Sequence, residues 1–137
     1  MKRRRVALAA LALLLGGCVH YPTVEDIGGV RIRTENGKAV RQGEAVVVYF
    51  DVVSTGKFGD TIGSVAAPVA REARLVDAGG TPLANLEVPG ATTIKFGADG
   101  PHIILGDLTR PLTPGETIIV TLLFQKSGGV GIVTLVE

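Results

Sequence analysis

An all-β sandwich is the fold this chain predicts, on three observations. Seven or eight short apolar runs follow one another over about 110 residues, Gly, Pro, Asn and Asp punctuate the gaps, and no stretch sustains a helical period. Closely spaced strands with turn signals between them are the pattern of a Greek-key β-sandwich. Aromatic residues are scarce, with four Phe, two Tyr and no Trp. The core must therefore be built from Val, Ile, Leu and Ala.

Taken in order, Val30 to Thr34 alternates apolar and basic residues, as a half-exposed strand does, and Asn36-Gly37 is a turn signal. Ala45 to Val53 is a continuous apolar run whose valine content suits a central strand better than a helix. Residues 54–60 read as a loop. Ala66 to Arg74 is the best helical candidate, but Pro68 limits it to one turn. Ala70 to Asp77 reads as a strand, and residues 77–82 as its turn. Thr92 to Phe96 alternates with Ile94 and Phe96 on one face, and His102 to Leu105 is a short apolar strand. Pro114-Gly115 fits the central pair of a type II turn. Thr117 to Gln125 sets Ile118, Val120, Leu122 and Phe124 on one face. Gly128-Gly129 turns the chain into the last strand, Val130 to Val136.

The beginning of the chain carries an address. Lys2, Arg3, Arg4 and Arg5 precede an apolar run from Val6 to Leu15, and Leu15-Gly16-Gly17-Cys18 follows. This is the pattern of a bacterial lipoprotein signal peptide over residues 1–17, with Cys18 acylated after cleavage. An apolar run of that length falls well short of the roughly 20 residues a membrane span needs. Residues 18–29 then form a lipidated tether, and residues 30–137 the sandwich domain. The expected location is extracytoplasmic, on the membrane through the lipid on Cys18.

Cleavage changes the composition. Four of the 14 Lys and Arg leave with the signal, so 10 basic residues face 13 acidic ones. The mature domain is mildly acidic, which excludes a nucleic-acid partner. Met1 is the only methionine and Cys18 the only cysteine, so the mature domain has no thioether and no free thiol. Neither His20 nor His102 lies near a nucleophile signature, and no phosphate-loop motif occurs. The chain reads as a non-enzyme.

One segment points to a family. Gly100 to Phe124, G-P-H-I-I-L-G-D-L-T-R-P-L-T-P-G-E-T-I-I-V-T-L-L-F, resembles the G-x-H-x-M-L-x-x-L-x-x-P-L-x-x-G run of the PCu(A)C-type extracytoplasmic copper chaperones, with LpqE-like lipoproteins among them. Ala45 to Gly56 resembles the family's A-x-Y-x-x-I-x-N-x-G strand and turn. Gly59 to Pro68 and Glu87 to Ala91 resemble two further family segments, in the same order. The resemblance implies a cupredoxin-like β-sandwich.

It also implies a copper site of two histidines and two methionines, a soft-leaning set suited to Cu(I). His102 stands at one histidine position and Ile104 at its methionine. Val76 stands at the other histidine, and residues 80–86 are too short for the hairpin that supplies the second methionine. The chain is identified as a divergent member that lacks most copper ligands. Its single candidate metal ligand is His102, with Cu(I) the implied cargo, and Asp77 and Asp99 are the oxygen donors nearest in sequence. The expected function is that of an envelope lipoprotein in copper binding or delivery with a degenerate site, its partner a copper-accepting or envelope protein. The alternative is a metal-free interaction or structural module that retains only the fold, with no cofactor and with His102 a relic.

Overall fold

The computed structural model describes residues 29–137. The expected signal peptide, Cys18, His20 and nearly all of the expected tether lie outside the described residues. Nine strands form in chain order: β1 (Ile32–Gln42), β2 (Ala45–Ser54), β3 (Asp60–Ala66), β4 (Ala70–Val76), β5 (Leu86–Val88), β6 (Thr92–Phe96), β7 (His102–Leu108), β8 (Thr117–Phe124) and β9 (Gly128–Val136). No α-helix occurs among the described residues.

The strands make one continuous sheet in the order β4-β7-β2-β1-β9-β8-β3-β5, with β6 also paired to β2. The sheet curls so that both halves enclose one core. Val46, Val48, Phe50 and Val52 enter it from β2, Ile103 and Leu105 from β7, and Ile118, Val120, Leu122 and Phe124 from β8. The alternation of β8 is therefore as expected, and its apolar face is the core face. The halves join where β1 and β9 run parallel, Gly37 opposite Thr134 and Ala39 opposite Val136. Phe50 and Phe96, cross-strand partners, stack at 4.2 Å between ring centroids. They supply the main aromatic contact of an otherwise aliphatic core.

The strand count exceeds the seven or eight expected, and the extra elements have identifiable causes. β3 carries Gly63 and Ser64, and a register irregularity between Ile62 and Ser64 breaks its apolar alternation. β5 has only three residues. Asn36-Gly37 is not a turn. It lies inside β1, at the register shift between Glu35 and Lys38, with Asn36 at φ 57°. A single asparagine tolerates the left-handed region, so the pair serves as a bulge. The hairpin turn falls instead between Gln42 and Ala45. Ala66 to Arg74 supplies strands at both ends and only a turn around Pro68. The final turn precedes Gly128, which already pairs with Phe124.

The type II turn is as expected. Gly115 has φ 91°, and the Glu116 N–H donates to the Thr113 carbonyl at 3.1 Å. Arg110 Nη1 reaches the Glu116 carboxylate at 2.8 Å and ties the preceding loop to this turn. The Thr113 N–H and the Arg110 guanidinium hold the Glu116 carboxyl below its usual pKa.

Asp60 fastens the opposite end. Its side chain is buried and accepts four hydrogen bonds: from the Thr61 N–H at 2.7 Å, the Lys126 N–H at 3.0 Å, and the Ser127 N–H and hydroxyl at 2.7 Å each. Burial alone would raise the Asp60 pKa. The Ser127 hydroxyl and the three backbone N–H groups outweigh it and hold the carboxyl below its usual value. The loop at 54–60 is tight for a different reason. A Cβ on Gly56 would overlap the Gly29 carbonyl oxygen, so the first described residues press directly on that loop.

β6 and β7 are arranged in line along one flank of β2. Phe96 sits opposite Phe50, and Ile103 opposite Val48. Residues 97–101 leave the sheet between them, closed by hydrogen bonds from the Gly97 N–H to Pro101 O and from the Gly100 N–H to Gly97 O. His102 is the first residue after this excursion.

Candidate functional site

His102 opens β7, and strand register fixes its neighbours. Ile103 and Leu105 point into the core, so His102 and Ile104 project from the outer face. Across one side lies β4, with Val76 opposite His102 and Arg74 opposite Ile104. Across the other lies β2, whose Tyr49 ring meets the imidazole edge-on at a centroid separation of 6.2 Å. Lys38 of β1 is the cross-strand partner of Tyr49 and places its ammonium 6.0 Å from the Tyr49 ring centre. A row therefore runs across four strands: Lys38, Tyr49, His102, Val76.

The imidazole is half-buried and oriented. Its Nδ1 lies 3.1 Å from the Gly100 carbonyl oxygen, which can only accept, so Nδ1 is the protonated nitrogen of this pair. Nε2 is left as the acceptor, with no hydrogen-bond partner among the described residues. A backbone carbonyl behind one ring nitrogen is how a metal-ligating histidine is usually held.

The rest of the ligand set is not assembled. Val76 is buried at 1% exposure and contributes an isopropyl group beside the ring. Ile104 contributes a second aliphatic surface. Asp77 is committed to its own hairpin, where its Oδ1 accepts from the Gly79 and Thr81 N–H groups at 3.0 and 2.9 Å. Asp99 lies in the 97–101 excursion. Among the described residues no group of three or more His, Cys, Asp or Glu side chains converges as a metal site would require. The fold thus brings together His102 and the two positions that the sequence marked as changed, Val76 and Ile104, and adds no compensating donor.

Tyr49 and Lys38 were not singled out by the sequence. The signal that could have found Tyr49 is the alternation of β2, which turns it away from the core valines. Its contact with His102, however, depends on the β2–β7 register, and neither strand reveals that alone. Surface hollows open along β4, where one of about 440 Å³ is lined by Ala70, Glu72 and Arg74, and elsewhere on the fold. One of about 320 Å³ is lined by Phe58, Asp60, Glu87 and Lys126. Another of about 330 Å³ is lined by Arg41, Leu112 and Val136.

Comparison with known proteins bears on the family and the fold. The LpqE-like lipoprotein family model matches residues 26–136. Among solved structures, a copper-bound PCuAC domain from PmoF2 superposes with a TM-score of 0.70 at 22% identity, covering 83% of this chain and 98% of that one. The apo PCuAC domain from PmoF1 gives 0.67 at 21%, covering 82% and 96%. The solution structure of Cu(I)-bound DR1885 from Deinococcus radiodurans gives 0.66 at 20%, covering 88% and 85%. No curated protein matches the chain. At these identities the likeness establishes the cupredoxin-like β-sandwich of PCuAC domains as the fold.

Proposed function

The chain belongs to the LpqE-like lipoprotein family, and on that premise we propose that it is an extracytoplasmic lipoprotein, held on the membrane by Cys18, that takes part in copper handling through a site shared with a partner. Its own share of that site is the His102 imidazole. The observation that carries this reading is the orientation of the ring, with Nδ1–H on the Gly100 carbonyl and Nε2 without a hydrogen-bond partner among the described residues. A lone imidazole holds Cu(I) weakly, because such sites draw their affinity from several preorganised soft donors. The remaining donors would come from a copper-accepting or copper-carrying envelope protein, with copper the cargo passed between them. No catalytic activity is assigned.

A titration tests this. Cu(I) is added to the mature domain against a chromogenic chelator, alone and with a methionine-rich peptide present, beside a His102→Ala control. Weak uptake by the domain alone, strengthened by the peptide and lost in the control, is the expected result. Uptake in the control equal to that of the unaltered domain in both arms overturns it. Val76 and Ile104 beside the ring favour a second reading, a metal-free interaction module that keeps the sandwich alone, whose expected result is no uptake by the unaltered domain in either arm.

A further inference from the structure

The two outer faces of the sandwich differ in chemistry. The face that carries His102 also carries Arg33, Glu35, Lys38, Asp51 and Arg74. The outer face of β8 and β9 carries no charge at all. Ile119 and Val133 are direct cross-strand partners there, Leu135 faces Thr117, and Leu123 faces Gly129. Their side chains stand in solvent: Val133 is 68% exposed, Leu135 49%, Ile119 46% and Leu123 42%. Threonines and glycines fill the rest of this face. The nearest charge in register is Lys38 of β1, beside Leu135, and its long side chain can keep its ammonium in water while its stem lies on an apolar surface.

Its surroundings indicate what covers it. The chain approaches the domain along β1, the parallel neighbour of β9, and the Thr34 hydroxyl donates to the Gly131 carbonyl at 2.8 Å. At the same end the first described residues meet Phe58: Val30 bridges it, and the Phe58 N–H donates to the Gly29 carbonyl. Phe58 is 52% exposed, and the Lys57 ammonium lies 5.6 Å from its ring centre. An exposed phenyl ring beside a lysine is the pairing of an apolar surface group with a cation that interfacial elements lay against anionic lipid. Ten residues separate Cys18 from Gly29. Fully extended they reach at most about 40 Å, roughly the width of a domain of this size. Four side chains are also far fewer than the roughly 20–30 residues each side supplies to a stable soluble interface. They suffice where a tether keeps the local concentration high.

We infer that the uncharged β8–β9 face, with Phe58 at its tether end, rests on the lipid surface in which Cys18 is anchored. The inference rests on the Cys18 lipidation proposed above. It leaves the opposite face, with His102, turned toward partners in the aqueous space.

The absence of tryptophan supplies the test. Val133→Trp and, as a control on the other outer face, Lys95→Trp are prepared in the full lipidated chain. Each is reconstituted in phosphatidylcholine–phosphatidylglycerol vesicles, with and without bromine on the upper acyl chain. The Val133→Trp emission should shift to the blue and fall by about twofold or more with brominated lipid, the depth expected of an interfacial apolar face. The Lys95→Trp emission should stay unchanged. Equal, small quenching in both variants, with the protein floating with the vesicles, overturns the inference while leaving lipidation intact. Failure to float overturns lipidation and the inference together. A blue shift of Val133→Trp without vesicles that grows with protein concentration identifies a second copy as the occupant, and also overturns it.

Discussion

Val76 and His102 stand directly opposite each other in the antiparallel β4–β7 ladder, a buried aliphatic side chain against a half-buried imidazole. Directly opposed residues bring their Cβ atoms to about 4.5–5.5 Å, close enough for two side chains to share one ion. In this chain the pair presents one nitrogen donor and a wall.

Restoring donors at that wall should restore a site. Val76→His together with Ile104→Met is expected to raise Cu(I) affinity by about a hundredfold or more over the unaltered domain, as a soft, multidentate set replaces one imidazole. Competition with a chromogenic Cu(I) chelator measures it. The Val76 exchange should also cost about 1–3 kcal/mol of stability, because a polar ring enters a position closed to water.

His102 itself should matter little to folding. Its ring contributes an edge contact with Tyr49, and His102→Ala is expected to cost about 1 kcal/mol, within the range for aromatic pairs. Ile103, the next residue, is fully buried, and Ile103→Ala should cost about 2–5 kcal/mol. Urea unfolding of the two variants side by side checks the contrast.

Asp60 should set part of the acid stability. Its folded pKa lies below its unfolded value, so its contribution is complete above the unfolded pKa of about 3.9 and is lost as pH falls through the folded pKa. Asp60→Asn should lower stability at pH 7 by about 1.5–3 kcal/mol, since a charged acceptor is removed from four donors. It should also flatten the stability profile below pH ~4. Thermal melts across pH 2.5–7 (a range chosen to bracket the carboxylate values) read both effects.

Gly56→Ala should be among the most damaging single-atom changes. The added methyl meets backbone rather than a movable side chain, and the cost is expected near about 3 kcal/mol, the upper end for overpacking. A glycine whose Cβ would meet open space, Gly97, should accept alanine with a change below about 1 kcal/mol. Chemical denaturation of both proteins tests the pair.

How far the sequence reveals this molecule differs between fold and site. The alternation of Ile118, Val120, Leu122 and Phe124 is a local signal, and so is Pro114-Gly115; both lead directly to what the structure contains. Asn36-Gly37 misleads because the same dipeptide serves a hairpin turn and a bulge, and only the partner strand decides which. β3 is hidden because its pattern is interrupted by Gly63 and Ser64. At the candidate site the sequence marks three positions by resemblance, His102, Ile104 and Val76, and the strand register places them side by side. The Tyr49 contact and the Gly100 carbonyl behind Nδ1 depend on register and loop closure, which no periodicity encodes.

The in-line arrangement of β6 and β7 has one further consequence. Residues 97–101 belong to neither ladder, and the pairings of Phe96 and of Ile103 with β2 hold on either side of them. The segment is a grafting point. Its length and chemistry can be exchanged while the scaffold keeps its register, as with variable loops set on a rigid sheet. Because His102 follows directly after it, such an exchange would alter what lies over the imidazole without redesigning any strand.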